Sequence, residues 1–203
     1  MIPSSRSSTP AHAAPTLASY EWLPAERLGQ LEVDAPLRPW LIGQGLLTRR
    51  LRAACGGRFA LRLVEQRTGL LDRALQSSLR VGDAAGLFRE VELCCGTEPW
   101  VFAQTVVPDS TLTLYPWLAE LGEASLGETL EELTGVERSA YEYACLPASE
   151  ALGGRALDGD PAEPATLWAR RSKIRLRGAP LLVQEVFLAP MARGPAALRF
   201  GSA

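Results

Sequence analysis

The chain has 203 residues, of which 47% are hydrophobic and 22% charged, and its formal net charge is −2. This length and apolar content predict one domain with a substantial core. The small net charge gives no electrostatic reason to expect binding to nucleic acid or to an anionic membrane. No apolar stretch approaches the length of a membrane span, so we expect a cytoplasmic protein without membrane insertion.

The cysteines and the single histidine limit the chemistry that the chain can perform. Cys55, Cys94, Cys95 and Cys145 lack the paired CxxC spacing of zinc and redox sites, and we expect four free thiols packed as small apolar residues. His12, the only histidine, lies in the N-terminal tail, which removes Ser-His and Cys-His catalysis. Chemistry here must use carboxylates, arginines and backbone amides, and we expect no metal and no cofactor.

The N-terminal part of the chain is predicted to contain a disordered segment, a helix and a strand. Residues 1–19 are rich in Ser, Pro and Ala and indicate a disordered extension before a domain over residues 20–190. Pro39–Cys55 indicates a helix that carries Leu47 on its apolar side. Residues 59–65 alternate as a strand does, and residues 68–86 indicate an irregular connection.

A hairpin follows, and it places Arg89 on a buried strand face. Arg89 shares its face with Val91 and Leu93, whereas Glu90 and Glu92 point the other way. A three-residue turn at 96–98 would lead into a second strand at 99–107 and set Arg89 opposite Thr105. An ionised group on a core face is costly unless it is paired, so Arg89 is a candidate site residue.

The segment after this hairpin is predicted to hold two short helices. They cover residues 116–121 and 126–133, and Ser125 with Glu128 forms a capping box for the second helix. Residues 150–165 are rich in Gly, Ala, Asp and Pro and indicate a surface insertion. The tail at 191–203 is predicted to be loose.

A C-terminal hairpin makes Glu185 the second candidate. If Gly178-Ala179 is a two-residue loop, Ser172 faces Glu185, and Glu185 joins Ile174, Leu176, Leu181, Val183 and Phe187 on the apolar face. The run 170–173 is predicted to be a solvated strand face and its approach. An internal ion pair between Arg89 and Glu185, or a strand-end arginine that reaches water, remains an alternative to a functional site.

Several ordered blocks of the sequence resemble the chorismate lyase family of bacteria. They run from Arg89-Glu90-Val91 through Gly96-Thr97-Glu98-Pro99-Trp100, Thr105-Val106-Val107-Pro108 and Leu126-Gly127 to Trp168-Ala169-Arg170-Arg171-Ser172 and Glu185-Val186-Phe187-Leu188. The resemblance is dense from about residue 87 to residue 188. It implies an α+β fold in which helices pack on a single antiparallel β-sheet and enclose a small ligand cavity.

The resemblance also implies a function and a set of site residues. The expected activity is removal of pyruvate from chorismate to give 4-hydroxybenzoate for ubiquinone biosynthesis, by a monomer. Arg89 corresponds to the arginine that holds the ring carboxylate, and Leu126 to the residue whose backbone amide reaches the same group. Glu185 corresponds to the carboxyl group that meets the ring oxygen, and Leu47 to a residue that lines the pocket. General-acid assistance by Glu185 is the working mechanism, and a concerted intramolecular proton transfer is the alternative.

Two features leave this interpretation open in part. Gln104 stands where the better-known family member has an arginine, which leaves the recognition of the second carboxylate unexplained, although Arg170 or Arg171 could substitute. Effector-binding domains of bacterial transcription regulators are thought to share the fold. A non-catalytic domain that binds a hydroxybenzoate-like effector is therefore the alternative function. A 3-hydroxybenzoate product is the less expected outcome of the same chemistry.

Overall fold

The computed structural model describes Leu17 and residues 20–30, 32–148 and 166–193. The insertion predicted at 150–165 lies outside the described residues. So do the rest of the extension predicted at 1–19 and the tail beyond residue 193.

An antiparallel sheet of eight strands forms the centre of the fold. The strands are β1 (Leu23–Pro24), β2 (Phe59–Leu70), β3 (Ala85–Cys95), β4 (Glu98–Pro108), β5 (Val136–Arg138), β6 (Glu142–Pro147), β7 (Thr166–Leu176) and β8 (Ala179–Phe187). Their order is β1-β6-β7-β8-β4-β3-β2, and β5 pairs with β7 as well. The predicted α+β class with one antiparallel sheet is confirmed.

Short helices connect the strands and cover both faces of the sheet. They are α1 (Arg38–Ile42), α2 (Leu47–Cys55), α3 (Arg73–Leu79), α4 (Asp109–Leu114), α5 (Leu126–Glu131) and α6 (Ala189–Arg193), with 3₁₀ turns at Ala25–Gln30 and Pro116–Ala119. In the part of the chain that the structure describes, no helix has the length and apolarity needed to cross a membrane.

The helix predicted at Pro39–Cys55 is wrong as a single element, because the chain leaves the helical conformation between α1 and α2. Gly43 is extended (φ −61°, ψ 131°), and Gly45 has a φ of +79°, a left-handed conformation that glycine adopts without strain. The predicted apolar side is nevertheless present, since Leu47, Leu51 and Cys55 are all buried in α2.

The irregular connection predicted at 68–86 is also wrong. Strand β2 continues to Leu70, and α3 follows with Asp72 as its N-cap, where Oδ1 accepts the backbone N–H of Leu75 at 2.8 Å. Leu75 and Leu79 of α3 pack on Leu182 of β8, on one face of the sheet. Helices α2 and α5 lie over the opposite face, where the cavity is found.

The register of the β3–β4 hairpin sets Arg89 opposite Thr105, as predicted. The turn itself differs, because only Gly96 and Thr97 form the loop and Cys95 pairs with Glu98. An irregularity in the pairing adds the missing residue at Trp100, since Leu93 pairs with Val101 and Cys94 with Pro99. The two differences cancel beyond the irregularity, so the predicted faces hold.

The register of the β7–β8 hairpin differs from the prediction by two residues. The loop is Arg177-Gly178, with φ values of +48° and +95°, the pair of positive φ angles that a tight two-residue turn requires. Glu185 therefore pairs with Arg170 rather than with Ser172, which pairs with Val183. Because a shift of two residues preserves the side-chain alternation, Glu185 remains on the predicted face.

Three further expectations are corrected by packing. Cys55 and Cys95 form a disulfide with Cα atoms 5.5 Å apart, whereas Cys94 and Cys145 are free thiols. Cys55 ends α2 and Cys95 ends β3, and the spacing of the cysteines in the sequence does not show that these two ends lie side by side. Leu17, within the predicted disordered extension, is buried, and its carbonyl accepts Trp22 Nε1–H. Met191, predicted to begin a loose tail, is buried in α6.

Candidate active site

A cavity between the sheet and helices α2 and α5 brings the predicted site residues together. Arg89 from β3, Glu185 from β8, Leu47 at the start of α2 and Leu126 at the start of α5 all line it. The remaining wall is largely apolar, with side chains such as Val91, Leu93, Ala103, Ile174 and Val183. Four residues chosen from separate parts of the sequence thus share one concave surface, the form expected of a small-molecule site.

Arg89 is held in the wall of this cavity by backbone carbonyls. The residue is 2% exposed, and Nη2 donates to the carbonyl oxygens of Gly122 at 2.8 Å and Ala124 at 2.9 Å. Burial lowers the pKa of Arg89 from its ordinary value. Within the described residues Arg89 forms no ion pair, and its buried Nε has no hydrogen-bond partner. A buried donor without a partner costs free energy, which an entering carboxylate would recover.

Glu185 is paired with Arg170, not with Arg89. Arg170 Nε donates to Glu185 Oε2 at 2.5 Å, and the side chains are 1% and 14% exposed, respectively. The alternative of an internal Arg89–Glu185 ion pair is therefore wrong, since each group has a different set of contacts. Only Oε2 of Glu185 takes part in this pair, and Glu185 also lines the cavity.

The sequence interpretation missed the pairing of Arg170 with Glu185. Arg170 is fully buried rather than part of a solvated face, and Nη1 donates to the carbonyls of Trp40, Leu41 and Gly43 at 3.1–3.2 Å. Burial by itself lowers the pKa of Arg170, but the Glu185 carboxylate and the Tyr141 hydroxyl raise it, and the net direction is upward. The sequence contains a signal for this burial, because Arg170 and Ile174 are four residues apart in one strand and therefore lie on the same face.

The start of α5 forms the opposite side of the cavity. Ser125 is the N-cap, and its Oγ accepts the backbone N–H of Glu128 at 3.3 Å, as the capping pattern predicts. Ser125 Oγ also lies 3.1 Å from Thr48 Oγ1 of α2, which ties the two helices together. As the first residue of α5, Leu126 has an N–H without an acceptor inside the helix.

Gln104 lies on the face of β4 that points away from the cavity. It is not among the lining residues, whereas its neighbours Ala103 and Thr105 are. Its Nε2 donates to Glu90 Oε1 at 3.0 Å, and its Oε1 accepts Gln184 Nε2–H at 3.0 Å. These three residues form a polar ladder across β3, β4 and β8. The departure from the family at this position therefore does not alter the cavity wall.

Comparisons with known proteins agree with this geometry. The family described as "Chorismate lyase" matches residues 16–193. The chain belongs to the chorismate lyase family. A "Probable chorismate pyruvate-lyase" of Psychromonas ingrahamii is 38% identical over 75% of this chain and 82% of that protein. A "Chorismate pyruvate-lyase" of Erwinia tasmaniensis is 32% identical over 94% of this chain and 95% of that protein. The prediction of an enzyme of this family is confirmed.

Solved structures that resemble the chain share its fold. The effector domain of PhnF from Mycobacterium smegmatis has a TM-score of 0.50 and 24% identity, over 73% of this chain and 91% of that one. The C-terminal domain of a histidine utilization repressor from Pseudomonas syringae has a TM-score of 0.51 and 9% identity, over 66% and 94%. The expected likeness of this chain to regulator domains therefore holds at the level of the fold.

Proposed function

We propose that this protein converts chorismate to 4-hydroxybenzoate and pyruvate, and that the product feeds ubiquinone biosynthesis. The observation that carries the proposal is that Arg89 and Glu185 line one cavity, with a buried Arg89 Nε that has no partner among the described residues. Membership of the family and the similarity to proteins named chorismate pyruvate-lyase support it. A monomer in the cytoplasm, without a cofactor, is part of the same proposal.

The reaction needs orientation and proton handling. Chorismate carries a ring carboxylate, a ring hydroxyl and, on the next carbon, an enolpyruvyl ether. The ether C–O bond breaks, the neighbouring ring carbon loses a proton, and the methylene carbon of the enolpyruvyl group gains one. The products are an aromatic hydroxybenzoate and pyruvate, with no net gain or loss of protons. The new aromatic ring supplies much of the driving force, so the protein must mainly fix the reacting geometry.

Arg89 is the group that orients the substrate. Its carbonyl contacts at Gly122 and Ala124 fix the guanidinium before the ligand arrives, so little side-chain entropy is lost on binding. The ring carboxylate would accept from the Nε that lacks a partner, and the N–H of Leu126 would reach the same group from the start of α5. Leu47 provides apolar contact to the ring.

Glu185 is the group that handles the proton. Arg170 holds Oε2 by a charge-assisted hydrogen bond and supplies the counter-charge. In the ionised form, Glu185 accepts a proton from the ring and returns it as a general acid to the departing enolpyruvyl group. In the concerted alternative, the proton passes directly from the ring to the methylene carbon, and Glu185 only positions the ring oxygen.

The activity itself is the first expected result. Purified protein incubated with chorismate alone should release pyruvate and 4-hydroxybenzoate in equal amounts, and EDTA should not inhibit, because the proposed roles belong to arginine, carboxylate and amide groups. Product identification by chromatography and an enzymatic pyruvate assay provide the measurement. Release of 3-hydroxybenzoate would correct the product assignment, and no turnover would contradict the proposed activity.

Replacement of Arg89 with Ala should weaken binding of 4-hydroxybenzoate. Loss of a charge-assisted contact in a buried site costs roughly 2–4 kcal/mol, or a factor of about 30–1,000 in the dissociation constant, which calorimetry measures. Arg62→Ala is the matched control, since Arg62 forms an exposed ion pair with Glu92 and does not line the cavity. Native affinity in a folded Arg89→Ala protein would mean that this charge is only structural.

The fold likeness to regulator effector domains favours a second candidate function, the binding of a small effector without reaction. The two functions separate in one experiment. A binding domain would take up 4-hydroxybenzoate and leave chorismate unchanged, whereas the proposed enzyme consumes chorismate.

A further inference from the structure

Arg138 occupies the outer part of the cavity, away from Arg89. It is the last residue of β5, pairs with Ile174 of β7 and lines the cavity together with Tyr141. The cavity continues toward the surface through a second space, and Gly45, Leu46, Gly127, Leu130, Arg138 and Tyr141 line both. Arg138 therefore stands where the enclosed space opens.

The exposed side chain of Arg138 is held by a hydroxyl of the neighbouring strand β7. Its Nη1 donates to Ser172 Oγ at 2.5 Å. Ser172 pairs with Val183 of β8, two residues from Glu185, whereas Ile174 pairs with Leu181, four residues from Glu185. The ring centroid of Tyr141 is 5.9 Å from the guanidinium carbon of Arg138 and 4.4 Å from that of Arg170. Arg138 is thus a near neighbour of the Arg170–Glu185 pair.

Like Arg89, Arg138 lines the cavity without a carboxylate partner among the described residues, whereas Arg170 is paired with Glu185. Within the described ranges Arg138 forms no ion pair, and its only hydrogen-bond partner is a neutral hydroxyl. Arg170, by contrast, uses Nε for Glu185 and Nη1 for three carbonyls. Arg171 pairs with Glu142 and does not line the cavity. Arg170 and Arg171 are both paired with carboxylates of the protein, so Arg138 is better placed than either to bind the second carboxylate of the substrate.

The order of charged groups across the sheet matches the order of groups along the substrate. Arg89, Glu185 and Arg138 belong to β3, β8 and β5, and two strand spacings separate each from the next, or about 10 Å between backbones. Along chorismate, the ring carboxylate comes first, the reacting ring oxygens next and the enolpyruvyl carboxylate last. A substrate bound by its ring carboxylate at Arg89 would extend past Glu185 toward Arg138.

We propose that Arg138 binds the enolpyruvyl carboxylate of chorismate and so distinguishes substrate from product. This inference rests on the proposed lyase activity and adds a residue that positions the leaving group. The product 4-hydroxybenzoate lacks that carboxylate, so Arg138 contributes to binding of the substrate and not of the product. Release of pyruvate then removes the contact at the open end of the cavity.

The test compares Arg138→Gln with the native protein in two assays. Steady-state kinetics should show kcat/KM for chorismate lowered by about 10–100-fold, the usual scale for loss of a hydrogen-bonded charge contact, mainly through a higher KM. Calorimetry should show affinity for 4-hydroxybenzoate unchanged within about threefold, a split that a general loss of structure would not produce. Arg138→Lys, which keeps the charge without the planar fork, should recover part of the loss.

Two further variants act as controls. Arg175→Gln removes an exposed arginine from the same strand region, outside the cavity, and should have native kinetics. Ser172→Ala removes the hydroxyl that holds Arg138 and keeps the charge, so its effect should be smaller than that of Arg138→Gln. Native kcat/KM in Arg138→Gln, or an equal loss of substrate and product affinity, would overturn the inference. A native protein that neither binds nor converts chorismate would overturn the proposed function, and the inference with it.

Discussion

Glu185→Gln should slow the conversion of chorismate by a factor of about 10²–10⁴, the usual contribution of a positioned acid or base. The amide keeps the size of the side chain and can still meet the ring hydroxyl of the product, but it can neither accept the ring proton nor return it. Binding of 4-hydroxybenzoate should therefore change little. Single-turnover kinetics, together with calorimetry on the product, separate the chemical step from binding.

Glu92→Gln is the matched control for this variant. Glu92 is a strand carboxylate on the face of β3 opposite to the cavity, where it pairs with Arg62, and its replacement should leave the rate within about threefold of native, because surface ion pairs contribute little. A nearly native rate in Glu185→Gln would favour the concerted proton transfer. The site would then act by positioning and electrostatics alone.

Arg170→Leu should lower the free energy of unfolding by about 3–5 kcal/mol, because it leaves the Glu185 carboxylate partly buried without its counter-charge. The three carbonyls at the end of α1 lose their shared donor in the same variant. Urea unfolding followed by circular dichroism measures the change. Activity should fall as well, since Arg170 holds the orientation of Glu185.

A double variant distinguishes this explanation from a simple loss of volume. Arg170→Leu with Glu185→Leu removes both charges and should be more stable than Arg170→Leu alone, since apolar residues can replace a buried pair at little cost. Arg49→Leu is the exposed control: Arg49 pairs with Glu131 while 71% and 44% of the side chains remain exposed, so about 1 kcal/mol or less is expected. A double variant less stable than the single one would contradict the unpaired-charge explanation.

The faces of the strands could be predicted from the sequence better than their partners could. The alternation of β8 predicts Glu185 on the apolar face. That prediction is correct although the predicted register of the β7–β8 hairpin is wrong by two residues. The predicted pairing of Arg89 with Thr105 is correct although the predicted turn is one residue too long. The irregularity at Trp100 adds one residue to β4 and so restores the predicted register. The alternation of side chains between the two faces of a strand is a local property of the chain. A predicted face therefore stays correct when the register is wrong by two residues, or when two errors in the turn cancel.

The partners of the charged groups could not be predicted, because they depend on packing between distant segments. Arg170 is neutralised by a strand neighbour fixed only by the Arg177-Gly178 turn. The same arginine bonds to carbonyls some 130 residues earlier in the chain, and no pattern around residue 170 indicates them. Arg138 was missed because β5 is only three residues long and shows no usable alternation.

The hydrogen bonds of the ladder formed by Glu90, Gln104 and Gln184 all run in one direction, and this direction limits which side chains fit at position 104. Each amide donates toward β3, and the series ends on the carboxylate, which leaves Gln184 Oε1 buried without a partner in the described chain. An arginine at position 104 would still donate to Glu90, but it offers no acceptor, so the Gln184 amide would turn and present Oε1 instead. We therefore expect Gln104→Arg to be accommodated in this chain by a turn of the Gln184 amide, while the cavity face on the other side of the sheet stays the same.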